Sequence, residues 1–184
     1  EQFVEEYPTS TKRNTAFMDV ADYYFENSRF AYARKWYDKV DEDALARKER
    51  ETFNFNYGFC FYATNNNTGA KKYLSRVENS EKYGSQAKYY IGYMAYEGDD
   101  YERASEYFDQ IGDNEKYKEG LSYYQADLNF KLGNFEKAIT LAKEQLPKSD
   151  KKEVSELSKI IGESYFNLEQ RSEERRVGKE CRSR

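Results

Sequence analysis

The chain has 184 residues, 35% of them charged and 17% aromatic, with 19 Tyr, 12 Phe, two Cys and no His. The lack of His excludes Ser-His-Asp and Cys-His catalytic arrangements and His-ligated zinc, and Cys60, the one cysteine outside the C-terminal stretch 171–184, cannot by itself build a thiolate site or a disulfide framework. No apolar run approaches the roughly 18 residues of a membrane span, and a net charge of −4 argues against non-specific binding to nucleic acid or to anionic membrane surfaces.

In chain order, the pattern predicts helices over 13–27, 30–41, 47–64, 67–78, 83–97, 101–112, 115–132, 135–147 and 150–168. The turns NSRF, NNNT, EGDDY and LGNF place Asn or Gly where one helix of a pair gives way to the next. Pro147 closes the eighth helix, because a following helix must restart beyond it. Asn66 formally opens a glycosylation acceptor, but the NNT string is better read as a helix-pair turn.

Two rows of small residues run through these elements. Ala33, Ala70, Ala104 and Ala138 are spaced 37, 34 and 34 apart, and Ala21, Gly58, Gly92, Ala126 and Gly162 are spaced 37, 34, 34 and 36 apart. Small residues recur where helices cross, since axes approach to about 8–10 Å only if little side chain stands at the contact. The extra residues between the first two units fall in the loop around DEDALARKE, where added length costs little.

The pattern resembles the tetratricopeptide repeat family, whose unit of about 34 residues carries small or aromatic residues at positions 8, 11, 17, 20 and 24. The five positions read Ala21, Tyr24, Phe30, Ala33, Tyr37, then Gly58, Phe61, Asn67, Ala70, Leu74, and then Gly92, Ala95, Tyr101, Ala104, Phe108. A fourth unit, Ala126, Asn129, Phe135, Ala138, Ala142, loses two aromatics, and Gly162 with Tyr165 starts a fifth. The resemblance implies an all-α fold, a right-handed superhelical solenoid of antiparallel helix pairs. Residues 13–170 would form about four repeats and the first helix of a fifth, with 1–12 as the end of an upstream repeat, because FVEEYPTS resembles the close of a second helix and the proline that follows it.

Residues 171–184 break the register and carry six Lys/Arg against three Glu. They resemble an adapter-derived read-through peptide and are expected to form a non-native or disordered basic tail on a fragment of a longer bacterial protein. The remaining 24 Lys/Arg and 31 Asp/Glu give −7, so the array itself is acidic. Outside the tail Cys60 is alone on an apolar helix face, the usual place for a small hydrophobe.

In the family, first helices line a concave groove. The matching positions here are Met18, Phe55, Tyr89 and Tyr123, then Asp22, Phe59, Tyr93 and Asp127, then Phe25, Tyr62, Tyr96, Phe130 and Phe166. Phe25, Phe130 and Phe166 are expected to glue neighbouring repeats. Met18, Asp22, Phe55, Phe59, Tyr62, Tyr89, Tyr93, Tyr96, Tyr123 and Asp127 form the candidate partner-binding groove, in which rigid Tyr rings with wet hydroxyls make good anchors.

The family's carboxylate clamp would need Lys, Asn and Arg where this chain has Met18, Asp22, Gln86 and Tyr90; Asn56 alone fits, so tail clamping is not expected. The resemblance thus implies a non-enzymatic interaction scaffold with no cofactor or metal, binding a protein or peptide segment. The alternative is a glycan- or envelope-ligand-binding module, in which Asn54, Asn56 and Gln86 would hydrogen-bond a sugar stacked on the rings. Similarity of the Tyr- and Asn-rich units and YPTS to bacterial envelope repeat proteins points to a periplasmic or outer-membrane-associated address rather than the cytoplasm.

Overall fold

Each pair of helices is closed by the same backbone device, four times over. Ser28, Asn65 and Asp99 adopt φ of 57°, 58° and 58°, and Gly133 adopts φ of 73°. These residues repeat at the 37, 34 and 34 spacing of the alanine row. At the first turn Arg29 N–H donates to Tyr24 O at 2.8 Å and Ser28 N–H to Phe25 O at 2.9 Å. The same pair of bonds recurs at Asn66 and Asn65, at Asp100 and Asp99, and at Asn134 and Gly133. This is the Schellman closure, in which a left-handed residue lets two amides satisfy carbonyls that the helix end would otherwise orphan. The sequence places Asn or Gly in these turns, but the left-handed residue in the first is Ser28, not Asn27, and in the third Asp99, not Gly98. A side chain at that conformation costs energy that Gly avoids. Ser28→Gly is therefore expected to stabilise the chain by about 0.5–1 kcal/mol, read as a raised midpoint in urea; a lowered midpoint would show that the Ser28 side chain contributes more than its strain.

The computed structural model describes residues 12–111 and 115–182, with side chains described over 12–111 and 120–172. Among the described residues the elements are α1 (Arg13–Glu26), α2 (Phe30–Tyr37), α3 (Arg47–Ala63), α4 (Asn67–Leu74), α5 (Gly84–Glu97), α6 (Tyr101–Ile111), α7 (Glu115–Lys131), α8 (Phe135–Gln145) and α9 (Lys151–Arg182). Short 3-10 turns follow at Glu42–Ala44, Ser75–Val77 and Leu146–Lys148. No strand occurs among them. The second helices are shorter than expected because α2 and α4 stop at Tyr37 and Leu74; the 3-10 turn at Glu42–Ala44 occupies the longer loop between the first two repeats. The N-terminal segment through Thr11 and Gly112 lie outside the described residues.

The residues up to Met94 and those from Ala95 form two compact units. In the first unit, α1 packs on α2, α2 on α3 and α3 on α4, the order of stacked antiparallel pairs. The small rows sit where expected: Ala21, Ala33 and Ala70 are fully buried. A Cβ on Gly58 would come within 2.9 Å of Leu74 Cγ and 3.1 Å of its backbone N, so α3 and α4 touch closely there. Asn66 caps α4 by accepting from Gly69 N–H at 2.9 Å.

In the second unit, α7 packs on α8 and α8 on α9. Its core joins Ala126, Ala138, Ala142, Leu157 and Ile160. Asp150 opens α9 by accepting from the amides of Lys152 and Glu153 at 2.8 and 2.9 Å. The helix does not end where the repeat pattern ends: its backbone runs on to Arg182. Arg171 reaches back to Gly133 O at 3.2 Å and lies over the Phe135 ring.

Candidate functional site

The groove positions of the first unit assemble into a ladder of rings. Phe59 on α3 contacts Phe25 and Phe30 with centroids 5.7 and 5.1 Å apart, and Tyr62 and Tyr90 at 5.9 and 5.1 Å. Tyr62 meets Tyr90 at 4.8 Å and Tyr93 at 6.4 Å, and Tyr89 lies 5.5 Å from Tyr90 and 6.4 Å from Tyr93. Most contacts are edge-on or tilted, the geometry that the ring quadrupole favours. Phe25, Phe59, Tyr62, Tyr89, Tyr90 and Tyr93 are all half-buried. Tyr90 is the rung that the groove positions miss, since it stands at position 6 of its unit; the signal for it is the Tyr89-Tyr90 pair two residues ahead of Gly92.

Other predicted groove residues of this unit are placed differently. Met18 and Phe55 are buried, 8% and 7% exposed, and Phe55 stacks on Tyr83 at 4.5 Å. Asp22 is already engaged, accepting from the Tyr37 hydroxyl and from Asn56 Nδ2 at 3.1 Å. Asn54 and Asn56 are buried, and Asn54 donates to Arg50 O and accepts from Arg76. Neither stands ready to hydrogen-bond a sugar. A cleft of 360 Å³ opens beside Asp22, lined among others by Thr15, Met18, Asp19, Leu45 and Lys48.

In the second unit Tyr96 donates to Asp127 Oδ2 at 2.6 Å, and Tyr123 donates to Glu156. Asp127 also faces Lys131 Nζ at 3.9 Å. Tyr124 joins Tyr96 and Tyr123 with centroids 5.2 and 5.5 Å apart. Phe130 packs on Phe135 of its own repeat, and Phe166 is 61% exposed and Tyr165 51%. Gly162 differs likewise from Gly58: a Cβ there would meet nothing within 4 Å.

The tyrosine hydroxyls are thus less wet than their number suggests. Burial first, and then the hydrogen bond to a carboxylate, raises the pKa of Tyr37, Tyr57, Tyr96 and Tyr123 above the ordinary phenol value; the carboxylates are Asp22, Asp38, Asp127 and Glu156 in turn. Cys60 is fully buried and free, and burial pushes its thiol up to about 12, against the lowering influence of Arg34. That is an inert cysteine rather than a nucleophile. The carboxylates Asp99 and Asp100 serve the turn before α6, accepting from the Tyr101 hydroxyl and, at 3.3 Å, from Arg103 N–H. Among the described residues no cluster of His, Cys, Asp and Glu could hold a metal ion, and no helix is long and apolar enough to cross a membrane.

Repeated antiparallel helix pairs, small residues at each crossing and identical left-handed closures define a helical-repeat protein. Residues 86–115 match the family model for the tetratricopeptide repeat. Over those residues the chain carries a tetratricopeptide repeat. No curated protein matches its sequence significantly. Among solved structures it is similar to the MamA protein, at 17% identity and a TM-score of 0.66, covering 92% of this chain and 90% of that one. It is also similar to the nearly identical TPR-like repeats of a Podosopora anserina putative kinesin light chain, at 12% identity and a TM-score of 0.57 over 95% and 96% of the two chains. A point variant of those repeats gives 12% and 0.58 over 93% of each. At such identities the likeness is one of fold.

Proposed function

We propose that this chain is a non-enzymatic scaffold that docks a peptide segment of a partner protein on the ring ladder of its first unit. The tetratricopeptide fold serves protein–protein interaction in general; the ladder supports the finer statement. Half-buried rings from α1, α3 and α5 are held edge to face by one another, so a partner side chain meets a surface that has already given up most of its rotamer freedom. Tyr89, Tyr90 and Tyr93 offer large apolar area at low entropic cost. Acidic Asp19 beside the cleft favours peptides with a basic flank.

The test is panning of a random dodecapeptide phage library on the purified chain, followed by anisotropy titration of the enriched peptides against the native chain and a Tyr89→Ala, Tyr93→Ala double variant. Loss of such anchors is expected to cost about 2 kcal/mol or more, roughly thirtyfold in affinity, with helical ellipticity unchanged. Equal affinity for both forms, or no enrichment, would overturn the groove assignment.

A further inference from the structure

The surface of α2 and α4 carries a charge pattern that the rest of the chain does not share. Position for position in the first two repeats, Arg34 matches Lys71, Lys35 matches Lys72 and Lys39 matches Arg76. The same places in the third and fourth repeats hold Ser105, Glu106 and Gln110, and Ile139, Thr140 and Glu144. Neither α2 nor α4 contains a carboxylate; Lys39 and Arg76 lie just past their ends, where Asp38 accepts from the Tyr57 hydroxyl. In a chain with more acidic than basic residues, this is a local reversal of sign.

Lys35, Lys39 and Lys72 are held by rings instead of carboxylates. Lys39 Nζ lies 3.9 Å from the Trp36 ring centroid, Lys35 Nζ 5.4 Å from Tyr32, and Lys72 Nζ 5.1 Å from Tyr73. The rail is continuous between the helices: Arg34 sits 5.2 Å over Phe61, Phe61 stacks on Tyr73 at 5.7 Å, and Arg76 lies 5.0 Å over Tyr73. A ring orients a cation without cancelling its charge, whereas an ion pair neutralises it. Only Arg76 of this set is in an ion pair among the described residues, with Glu42 at 2.6 Å. Lys35, Lys39 and Lys72 are exposed, and Tyr32 is 55% exposed beside them.

We infer that this face of α2 and α4 is a second docking surface, separate from the ring ladder, whose partner is an acidic polypeptide segment. Charge complementarity selects the sign, and the ordered cations lower the entropy of pairing with carboxylates. The patch is short: each of the two helices has 8 residues, about 12 Å of length at 1.5 Å per residue. It therefore suits a few carboxylates on a flexible chain. A nucleic acid or an anionic bilayer extends its charge well beyond such a patch and meets a protein of net charge −4, which opposes binding.

The test uses the full chain and a fluorescein-labelled decapeptide of alternating Asp and Glu, with an Asn/Gln decapeptide as control, at 50 mM salt. Binding of the acidic peptide alone is expected, weakening severalfold at 200 mM salt. A Lys35→Glu, Lys72→Glu variant should bind at least tenfold more weakly, Lys35→Gln, Lys72→Gln should fall between, and Tyr89→Ala, Tyr93→Ala should bind as the native chain does. Ellipticity and melting temperature of each variant check the fold. No binding of the acidic peptide, or undiminished binding by the charge-reversed variant, would overturn the inference. So would tighter binding of a 20-base-pair duplex or of phosphatidylglycerol vesicles than of the peptide.

Discussion

Ala33→Leu is expected to destabilise the chain by about 1–3 kcal/mol, while Ala31→Leu, two residues away on the same helix, stays within about 0.5 kcal/mol of the native chain. The chemical change is identical, and only the face differs. Ala33 is fully buried in the cluster that includes Ala21, Tyr37, Phe53 and Cys60, whereas Ala31 is exposed. The added isobutyl group has no void to enter: it must part α1 from α2 or force neighbouring rings off their rotamers. Leu raises no helix-propensity objection at either site, since it is nearly as good a helix former as Ala. Urea unfolding of the two variants beside the native chain decides the matter. Equal losses at both positions would mean that the repeat register is misplaced.

Raising the pH through 10 and above should unfold the protein, and Tyr37→Phe should blunt that dependence. Tyr37 is 1% exposed, rings with Phe53 and Tyr57, and donates to Asp22. Burial and the neighbouring carboxylate hold its hydroxyl protonated well beyond the ordinary value, and Tyr57 beside Asp38 is held in the same direction. A folded-state value above that of the unfolded chain gives stability that is fully present below about pH 10, where unfolded Tyr titrates. It is lost as pH rises above that point, at about 1.4 kcal/mol per pH unit for each such tyrosine. The measurement is urea unfolding between pH 8 and 11.5, with tyrosinate absorbance at 295 nm and ellipticity recorded together. Tyr37→Phe should lose stability less steeply by about one proton's worth, and at neutral pH it should be destabilised by about 1.5–3 kcal/mol, because Asp22 loses a charge-assisted partner. Full tyrosinate absorbance with the helices intact would refute the assignment.

The repeat architecture was legible because it rests on a local steric demand. A helix crossing tolerates only a small side chain, so Ala21, Gly58, Ala33, Ala70 and Ala138 had to recur at the period of the unit, and the structure buries each of them. Helix starts were legible for a similar reason, and α1 to α4 and α6 to α8 begin at the expected residues. The left-handed positions were only half legible. The Schellman closure fixes the offset from the helix end, not the residue type, and Ser28 and Asp99 accept strain that Asn65 and Gly133 largely avoid.

The candidate site was legible as a list of aromatics but not as a surface. Register alone cannot separate Met18 and Phe55, which sink into the core, from Phe59, Tyr62 and Tyr93, which stay half-buried, because the depth of a groove position depends on which neighbours lean over it. Tyr90 joins the ladder because adjacent helices bring position 6 of one repeat against positions 9 and 12 of another. By itself the sequence determined the all-helical repeat, its period and the absence of histidine chemistry, since composition and small-residue spacing act within one or two turns of chain. The tertiary structure alone decided which carboxylate each tyrosine meets, and that Arg34 lies over Phe61, since those pairings join residues some 15 to 33 positions apart in the chain. Their geometry follows from how one helix pair stacks on the next.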